Sequence, residues 1–150
     1  MAVQREKPYP GINFIVDLGT GEVDTPDAGL SEVVFPEARL QVLEYRNGND
    51  RGNDIRKLQT TTKYGNLILR RGVIGSLSWY LWWDAARNGD QTAVRTIIIS
   101  LLNEDRAGRV IAWKFLRARP VNHQISALNS LGTEPLTETL EVAFERLEME

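Results

Sequence analysis

The residue types most able to do chemistry in this chain are few, and the first is a single histidine. His123 lies in a polar stretch beyond Pro120 and is the one imidazole among 150 residues. One imidazole cannot form a histidine cluster or a multi-histidine metal centre within a subunit. We therefore expect an ordinary surface histidine.

A second candidate is the Asn/Asp-rich segment Asn47–Asp54, which reads NGNDRGND. Oxygen atoms of Asn49, Asp50, Asn53 and Asp54 could surround a hard cation such as calcium. The Gly-Asp-rich calcium repeats, however, need a nine-residue period over several turns. Here GND recurs after four residues and then stops. The pattern therefore favours an exposed flexible loop without a bound metal.

A third candidate is the tryptophan group Trp79, Trp82 and Trp83, whose indoles could form a flat platform for a sugar or another aromatic ligand. Their spacing of three and four residues is typical of one face of an amphipathic helix, which we predict over Ser76–Asn88. Packing in a core is the favoured role. Glu141, Glu145 and Glu148 are expected to form a solvated face.

These candidates supply neither a nucleophile with its base nor a set of metal ligands. The chain has no cysteine, which excludes disulfides and thiolate chemistry. We therefore predict that the protein is not an enzyme and needs no cofactor.

Composition narrows the possible partners and the location. Eighteen basic and twenty acidic residues give a formal net charge of -2, so sequence-specific nucleic-acid binding is disfavoured. Residues 1–10 are polar and lack the apolar core of a secretory signal, which predicts synthesis in the cytoplasm without a signal peptide. The longest apolar run, Ile97–Leu102, is too short to span a bilayer, so we expect no direct membrane insertion.

The remaining elements are mostly strands that must position any functional residue. Alternating or β-branched patterns predict a β-rich single domain with one helix, arranged as a small antiparallel sandwich or barrel. Pattern alone leaves the end of the chain, 137–147, open between strand and helix. Predicted strands are Asn13–Leu18, Leu30–Phe35, Arg39–Arg46, a run from Tyr64 through Leu69 to Arg70 and Arg71 that Gly72 closes, Arg95–Leu102 and Arg109–Phe115, with Pro120 ending the last hairpin.

Several segments, taken in order, resemble the tail-tube family shared by contractile phage tails and phage-tail-like injection particles. LEYRNGND from Leu43 resembles that family's EYREGND-type hairpin, and RKL at Arg56–Leu58 followed by KYGNLILRRG at Lys63–Gly72 is similar to its KLPG and KYGNI-LKRG signature. NFIVDLG, GLSEV and VIAWKF also match in order. The chain lacks the proline-glycine of KLPG at Gln59–Thr62.

The resemblance implies a fold similar to the ring-forming secreted tube protein of type VI systems. That fold has two packed antiparallel sheets forming a small sandwich or barrel, flanked by a single α-helix, and it makes 137–147 a strand. One tail-tube domain would cover 1–150, with 1–10 as a polar N-terminal arm and 43–67 as a long hairpin. Trp79, Trp82 and Trp83 would lie on the core helix.

The same resemblance implies a structural function: homo-hexameric rings stack into a hollow tube that is propelled by contraction of a sheath and conducts or carries cargo. Implied partners are the contractile sheath protein and the baseplate and spike hub proteins, within an injection particle or a phage tail. Candidate contacts between subunits or rings are Glu44, Tyr45, Arg46, Asn47, Gly48, Asn49, Asp50, Arg51, Asn53, Asp54, Arg56, Lys57, Lys63 and Tyr64.

Two alternatives remain at this stage. One is a tube initiator or adaptor ring that joins the tube to the spike and baseplate, which would form one ring and would not polymerise alone. The other is a small-ligand-binding β-barrel that uses the tryptophans and a central cavity, which would remain monomeric.

Overall fold

A computed structural model describes residues 2–150, and Met1, the first residue of the predicted arm, lies outside the described residues. The described chain forms nine strands, a short 3₁₀ turn and one α-helix. In chain order these are β1 (Phe14–Asp17), the 3₁₀ turn (Pro26–Ala28), β2 (Glu32–Val34), β3 (Ala38–Tyr45), β4 (Arg56–Tyr64), β5 (Leu67–Gly72), α1 (Ser78–Arg87), β6 (Arg95–Leu102), β7 (Arg109–Ile125), β8 (Thr137–Ala143) and β9 (Arg146–Met149).

Two antiparallel sheets share one long strand, β7. Sheet A contains β1, β6, the first part of β7, and β9. Sheet B contains the second part of β7, then β8, β5 and β2. The change of sheet follows Arg117, which has a positive φ of 53°: Ala118 still pairs with Arg95 of β6, whereas Arg119 already pairs with Ala143 of β8.

Pro120 does not end the hairpin as the sequence predicted, because β7 continues through it to Ile125. Proline is tolerated in a strand where the ladder is irregular, since its missing N–H then costs no regular hydrogen bond. The register with β8 shifts between Pro120 and Asn122, which is such an irregularity.

The core lies between the two sheets and under α1. Period-two alternation buries every second residue of β5 and β8, as expected for strands with one face on a core. The largest contributions come from Val16, Ile97, Ile99 and Phe115 of sheet A, from Leu67, Leu69, Leu140 and Val142 of sheet B, and from Trp79 and Trp82 of α1. The predicted mostly-β class with one helix and two antiparallel sheets is confirmed, and within residues 2–150 the sheets do not close into a barrel.

The helix is slightly shorter than the predicted Ser76–Asn88. Leu77 is its N-terminal flanking residue, and the Ser76 hydroxyl accepts a hydrogen bond from the Ser78 backbone N–H at 3.3 Å. Gly89 has a φ of +84°, a left-handed conformation that ends helices at little cost for glycine. No helix of residues 2–150 combines the length and apolarity needed to cross a membrane.

Strands β3 and β4 form a separate hairpin that belongs to neither sheet. We call residues 38–64 the hairpin. Its bounds differ from the predicted 43–67 because Gly65 and Asn66 interrupt the strand pattern, and Leu67 begins β5 in sheet B instead. At the other end of the chain, 137–147 forms a strand up to Ala143 and starts a further strand at Arg146.

Candidate functional site

The hairpin is exposed on both faces. Every residue of β3 and all of β4 up to Lys63 are exposed, although the sequence is rich in apolar side chains. Strand alternation places Leu43, Tyr45 and Leu58 on one face and Leu40 and Val42 on the other. These five side chains are between 47% and 56% exposed, so each face carries a solvent-exposed apolar stripe.

Polar cross-strand contacts and an irregularity shape the hairpin. Glu44 lies directly opposite Lys57, a pairing of opposite charges that stabilises antiparallel strands. The register shifts between Leu40 and Val42, where the Thr60 hydroxyl donates to the Gln41 carbonyl at 2.8 Å. A bulge of this kind increases the local twist of a strand pair.

The segment Asn47–Asp54 at the tip has internal hydrogen bonds. The Arg46 guanidinium donates to the carbonyls of Asp50 and Gly52 at 2.9–3.1 Å. The Asp50 carboxylate accepts from the Asn47 backbone N–H and from Arg56, both at 3.1 Å. Both Asp50 oxygens are thus engaged by protein donors. Among residues 2–150, no group of three or more His, Cys, Asp or Glu side chains could hold a metal ion.

The base of the hairpin is attached to the sandwich through aromatic stacking. The Tyr64 and Phe144 rings lie 5.1 Å apart, and Phe144 in turn contacts the buried Phe115 at 4.9 Å. The Gly65 backbone N–H donates to the Glu37 carbonyl at 3.0 Å, which closes the hairpin below its first pair. The hairpin therefore projects from a fixed base.

The predicted contact residues are accordingly gathered on this one projecting element. Glu44, Tyr45, Arg56, Lys57, Lys63 and Tyr64 lie on β3 or β4, and Arg46, Asn47, Gly48, Asn49, Asp50, Arg51, Asn53 and Asp54 lie in the connecting loop. An isolated two-stranded hairpin is at best marginally stable in water. Contiguous exposed apolar surface on a soluble protein marks an interaction site. The arrangement thus suits binding to another protein.

A second cluster of charged side chains is buried beneath α1. Arg71 donates from Nε to Glu138 Oε1 at 2.5 Å, and its Nη1 donates to the Asp27 carbonyl at 2.8 Å. Its guanidinium also lies over the Trp79 ring at 4.3 Å and is 3.3 Å from the Ser78 hydroxyl. The cluster joins the first turn of the helix to sheet B.

His123 belongs to this cluster, and the expectation of an ordinary surface histidine is wrong. Its Nε2 lies 3.0 Å from Glu138 Oε2, and its side chain is only 10% exposed. Tyr80 and Trp83 of α1 cover the imidazole with ring centroids 6.4 Å away. Burial arises because β7 continues past Pro120 and carries His123 beneath the helix.

Arg71 and Glu138 were not predicted to be buried, although the sequence contains a signal for the burial of both. Arg71 follows Leu67 and Leu69 at period two, and Glu138 precedes Leu140 and Val142 in the same way, so each lies on the core face of its strand. A buried cation requires a partner, and the two alternations together point to the pair. The cluster links β5 and β8 to the first turn of α1 and so serves to hold the helix.

The N-terminal segment is held to the turn after β6 by one ion pair. Arg5 donates to Glu104 through two nitrogens, at 2.6 Å and 3.0 Å, and its guanidinium stacks on the Tyr9 ring. The hydrogen bonds from Arg5 lower the pKa of Glu104 to about 2. The Val3 backbone N–H adds a bond to the Val110 carbonyl at 2.8 Å, so the segment lies against β7.

Comparison with known proteins gives one family and a set of similar folds. The model of the T4-like virus tail tube protein gp19 family matches residues 10–148. A chain in the baseplate of the anti-feeding prophage is 23% identical, with 97% of each chain covered and a TM-score of 0.81. A chain in the sheath-tube complex of the extracellular contractile injection system PVC is 22% identical, covering 97% of this chain and 93% of that one, with a TM-score of 0.81.

A more distant similarity in fold is found to Hcp1 from Flavobacterium johnsoniae, at 15% identity, 91% and 94% coverage of the two chains and a TM-score of 0.54. No curated protein matches the sequence significantly.

Proposed function

Since the chain belongs to the T4-like virus tail tube protein gp19 family, we propose that it is the main inner-tube subunit of a contractile injection system or phage-like tail. The family is one of structural tube proteins and is not an enzyme family. The chain is accordingly a tail tube protein. The finer assignment concerns how copies assemble and what they assemble with.

The observation that carries this proposal is the hairpin with apolar stripes on both faces. A single covering partner on one face would leave the other stripe in water, whereas insertion between neighbouring copies buries both. Leu43 and Leu58 on one face and Leu40 and Val42 on the other each offer a site for such burial. The candidate contact residues Glu44 to Tyr64 would then be contacts between subunits or rings.

The proposed assembly is a homo-hexameric ring that stacks on identical rings to form a hollow tube. Unpaired edges of β1, β2 and β9 offer backbone groups that a neighbour can pair with by extending a sheet. Obligate interfaces of this kind bury on the order of 2,000 Å² or more, which is sufficient to hold a ring together.

A contractile sheath and a baseplate with its spike hub are the proposed partners, and the lumen would conduct or carry cargo. Chains of similar fold occur in a sheath-tube complex and in a baseplate. The proposed location follows: synthesis in the cytoplasm and assembly into an extracellular or phage-like particle.

A second candidate function is a tube initiator or adaptor ring between the tube and the baseplate. This second candidate is kept because a chain of similar fold occurs in the anti-feeding prophage baseplate. An initiator would form a single ring and would require another subunit to continue the tube, so self-polymerisation separates the two functions.

Electron microscopy of the purified protein, with and without its sheath and baseplate proteins, tests the proposal. We expect hollow filaments built from stacked rings of six copies. Replacing Asn47–Asp54 with an Asn-Gly turn should abolish filaments while leaving folded subunits or single rings. A matched shortening of the turn at 103–108, between β6 and β7, is the control for loop length.

Two results would contradict the proposal. Solitary globules in every mixture would exclude a tube subunit. Filaments of normal length from the shortened hairpin would show that the hairpin does not make the contact between rings. Single rings that polymerise only after another tube protein is added would instead support the initiator.

A further inference from the structure

We propose that Asn47 is a site of spontaneous covalent modification, at which the folded subunit converts this asparagine to aspartate or isoaspartate. The conversion uses only water and the chain itself, so it takes no enzyme, metal or cofactor. The inference concerns the free subunit and does not depend on the proposed function.

The sequence contains the tripeptide Arg-Asn-Gly twice, at 46–48 and at 87–89. Asparagine followed by glycine is prone to this reaction, because glycine has no side chain to keep its backbone nitrogen away from the asparagine amide. In an unfolded chain the two tripeptides should react at similar rates. A difference between them in the folded protein therefore arises from the structure.

The reaction is an attack of the Gly48 backbone nitrogen on Cγ of Asn47, the carbonyl carbon of the side-chain amide. A bond forms between the nitrogen and Cγ, the bond from Cγ to Nδ2 breaks, and Nδ2 leaves as ammonia with the proton lost from the Gly48 N–H. The resulting five-membered succinimide then takes up one water molecule. Opening at Cγ gives aspartate and opening at the backbone carbonyl carbon gives isoaspartate, with nothing oxidised or reduced.

The attacking nitrogen of Gly48 is available in the folded subunit. Within residues 2–150, no hydrogen bond engages the Gly48 N–H, although the turn around it is closed by a bond from the Asp50 N–H to the Asn47 carbonyl at 3.1 Å. A Cβ atom added at Gly48 would meet no atom beyond its chain neighbours within 4 Å, so there is space for the succinimide ring. Gly48 is also exposed, which admits the water that completes the reaction.

The amide that is attacked is polarised by Tyr45. The Tyr45 hydroxyl donates to Asn47 Oδ1, the oxygen on which negative charge develops as the nitrogen attacks. A hydrogen-bond donor placed at a developing oxyanion lowers the barrier to such an attack. The hydroxyl therefore both holds the amide in place and activates it.

The second Arg-Asn-Gly ends α1 in a geometry that opposes the same reaction. The Gly89 N–H donates to the Ala86 carbonyl at 3.2 Å, and Gly89 has a φ of +84°. Its nitrogen must leave this hydrogen bond before it can turn towards Cγ of Asn88. Asn88 is exposed whereas Asn47 is half-buried, so exposure alone would predict faster reaction at Asn88. The hydrogen bonds predict the opposite order.

The products change the tip of the hairpin. Both place a new carboxylate beside Asp50, whose own carboxylate accepts from the Asn47 backbone N–H at 3.1 Å. Like charges at this distance repel each other. Isoaspartate also adds one carbon to the backbone inside the turn, which displaces the bond between the Asp50 N–H and the Asn47 carbonyl. The tip of a free subunit therefore changes irreversibly with time.

Peptide mapping of aged protein tests the inference. Free subunits, separated from any assemblies by sedimentation, are incubated at neutral pH, digested for mass spectrometry and assayed for isoaspartate with a methyltransferase specific for it. The same protein unfolded in urea is the control, since it reports the intrinsic rates of the two tripeptides. We expect the ratio of the rate at Asn47 to the rate at Asn88 to be at least about fivefold larger in the folded protein, a factor that corresponds to one ordinary hydrogen bond.

A pair of tyrosine variants tests the contribution of the hydroxyl. Tyr45→Phe should slow conversion at Asn47 by at least about threefold, the effect of losing one weak hydrogen bond. Tyr64→Phe, at the base of the same hairpin, is the matched control and should leave the rate unchanged. Equal rates in the two variants would overturn the role of Tyr45. A rate ratio that is the same in folded and unfolded protein, or faster conversion at Asn88 in the folded protein, would overturn the inference itself.

Discussion

Arg70 and Arg71 are adjacent arginines that should differ greatly in their contribution to stability, because strand alternation places them on opposite faces of β5. The Arg71 side chain is 1% exposed and is hydrogen-bonded to Glu138, to the Asp27 carbonyl and to Ser78. The Arg70 side chain is 42% exposed and contacts Glu32 at 2.8 Å. The two ion pairs thus form a matched comparison of a buried and an exposed site.

Replacing Arg71 with methionine removes one partner of a buried pair and leaves the Glu138 carboxylate without its main donor. Breaking a buried pair in this way typically costs about 3–5 kcal/mol, which corresponds to a fall in Tm of roughly 6–20 °C for a domain of this length. The same substitution at Arg70 should cost no more than about 1 kcal/mol, because exposed ion pairs are screened by water.

The assay is denaturant unfolding of Arg71→Met, Arg70→Met and the unmodified protein at one protein concentration, since self-association adds to apparent stability. The double variant Arg71→Met/Glu138→Leu removes both charges, and we expect it to be less destabilised than the sum of its single substitutions. Equal losses at positions 70 and 71, or a double variant that costs the full sum, would refute the reasoning.

Two further predictions concern the helix and the N-terminal segment. Trp82→Ala should destabilise the fold by about 3–5 kcal/mol in thermal or denaturant unfolding, because the indole is 3% exposed and donates to the Ala93 carbonyl at 3.0 Å. The exposed neighbour Leu81→Ala should change stability by no more than about 0.5 kcal/mol, and equal effects would show that Trp82 is not a core residue. The Arg5–Glu104 contact should persist at pH 4, because the folded pKa of Glu104 is about 2 against an ordinary 4.5. Its stabilising contribution is complete above pH 4.5 and is lost as pH falls to about 2. Hydrogen exchange at Val3 should therefore rise below pH 3 in the unmodified protein but differ little between pH 4 and pH 2 in Glu104→Gln, after correction for intrinsic rates. Release of the N-terminal segment at pH 4 would contradict a Glu104 pKa of about 2.

The strands and the helix were largely predictable from residue types and apolar spacing. The β-branched and aromatic residues of β6 and the first part of β7, and the three-and-four spacing of Trp79, Trp82 and Trp83, each correspond to an element of the structure. The position of the hairpin was indicated by the dense turn residues of Asn47–Asp54. The sequence did not indicate that the hairpin is separate from both sheets, because Leu43 and Leu58 are residue types that also occur in core strands.

The sequence predictions were wrong where tertiary contacts override a local sequence signal. Proline normally ends a strand, but the irregular pairing between Pro120 and Asn122 allows β7 to continue, and this extension buries His123. The positive φ at Arg117 has no sequence signal comparable to a glycine. Arg71 and Glu138 could have been found by extending the alternation of β5 and β8 through their charged positions.

The bend at Arg117 has a mechanical consequence for the two sheets. One uninterrupted backbone is paired into sheet A up to Ala118 and into sheet B from Arg119 onward. Shear between the two layers must therefore break backbone hydrogen bonds or open the Arg117 corner, since no compliant linker lies between them. Thrust applied to either layer passes to the other through covalent bonds, which makes the subunit a stiff unit under load.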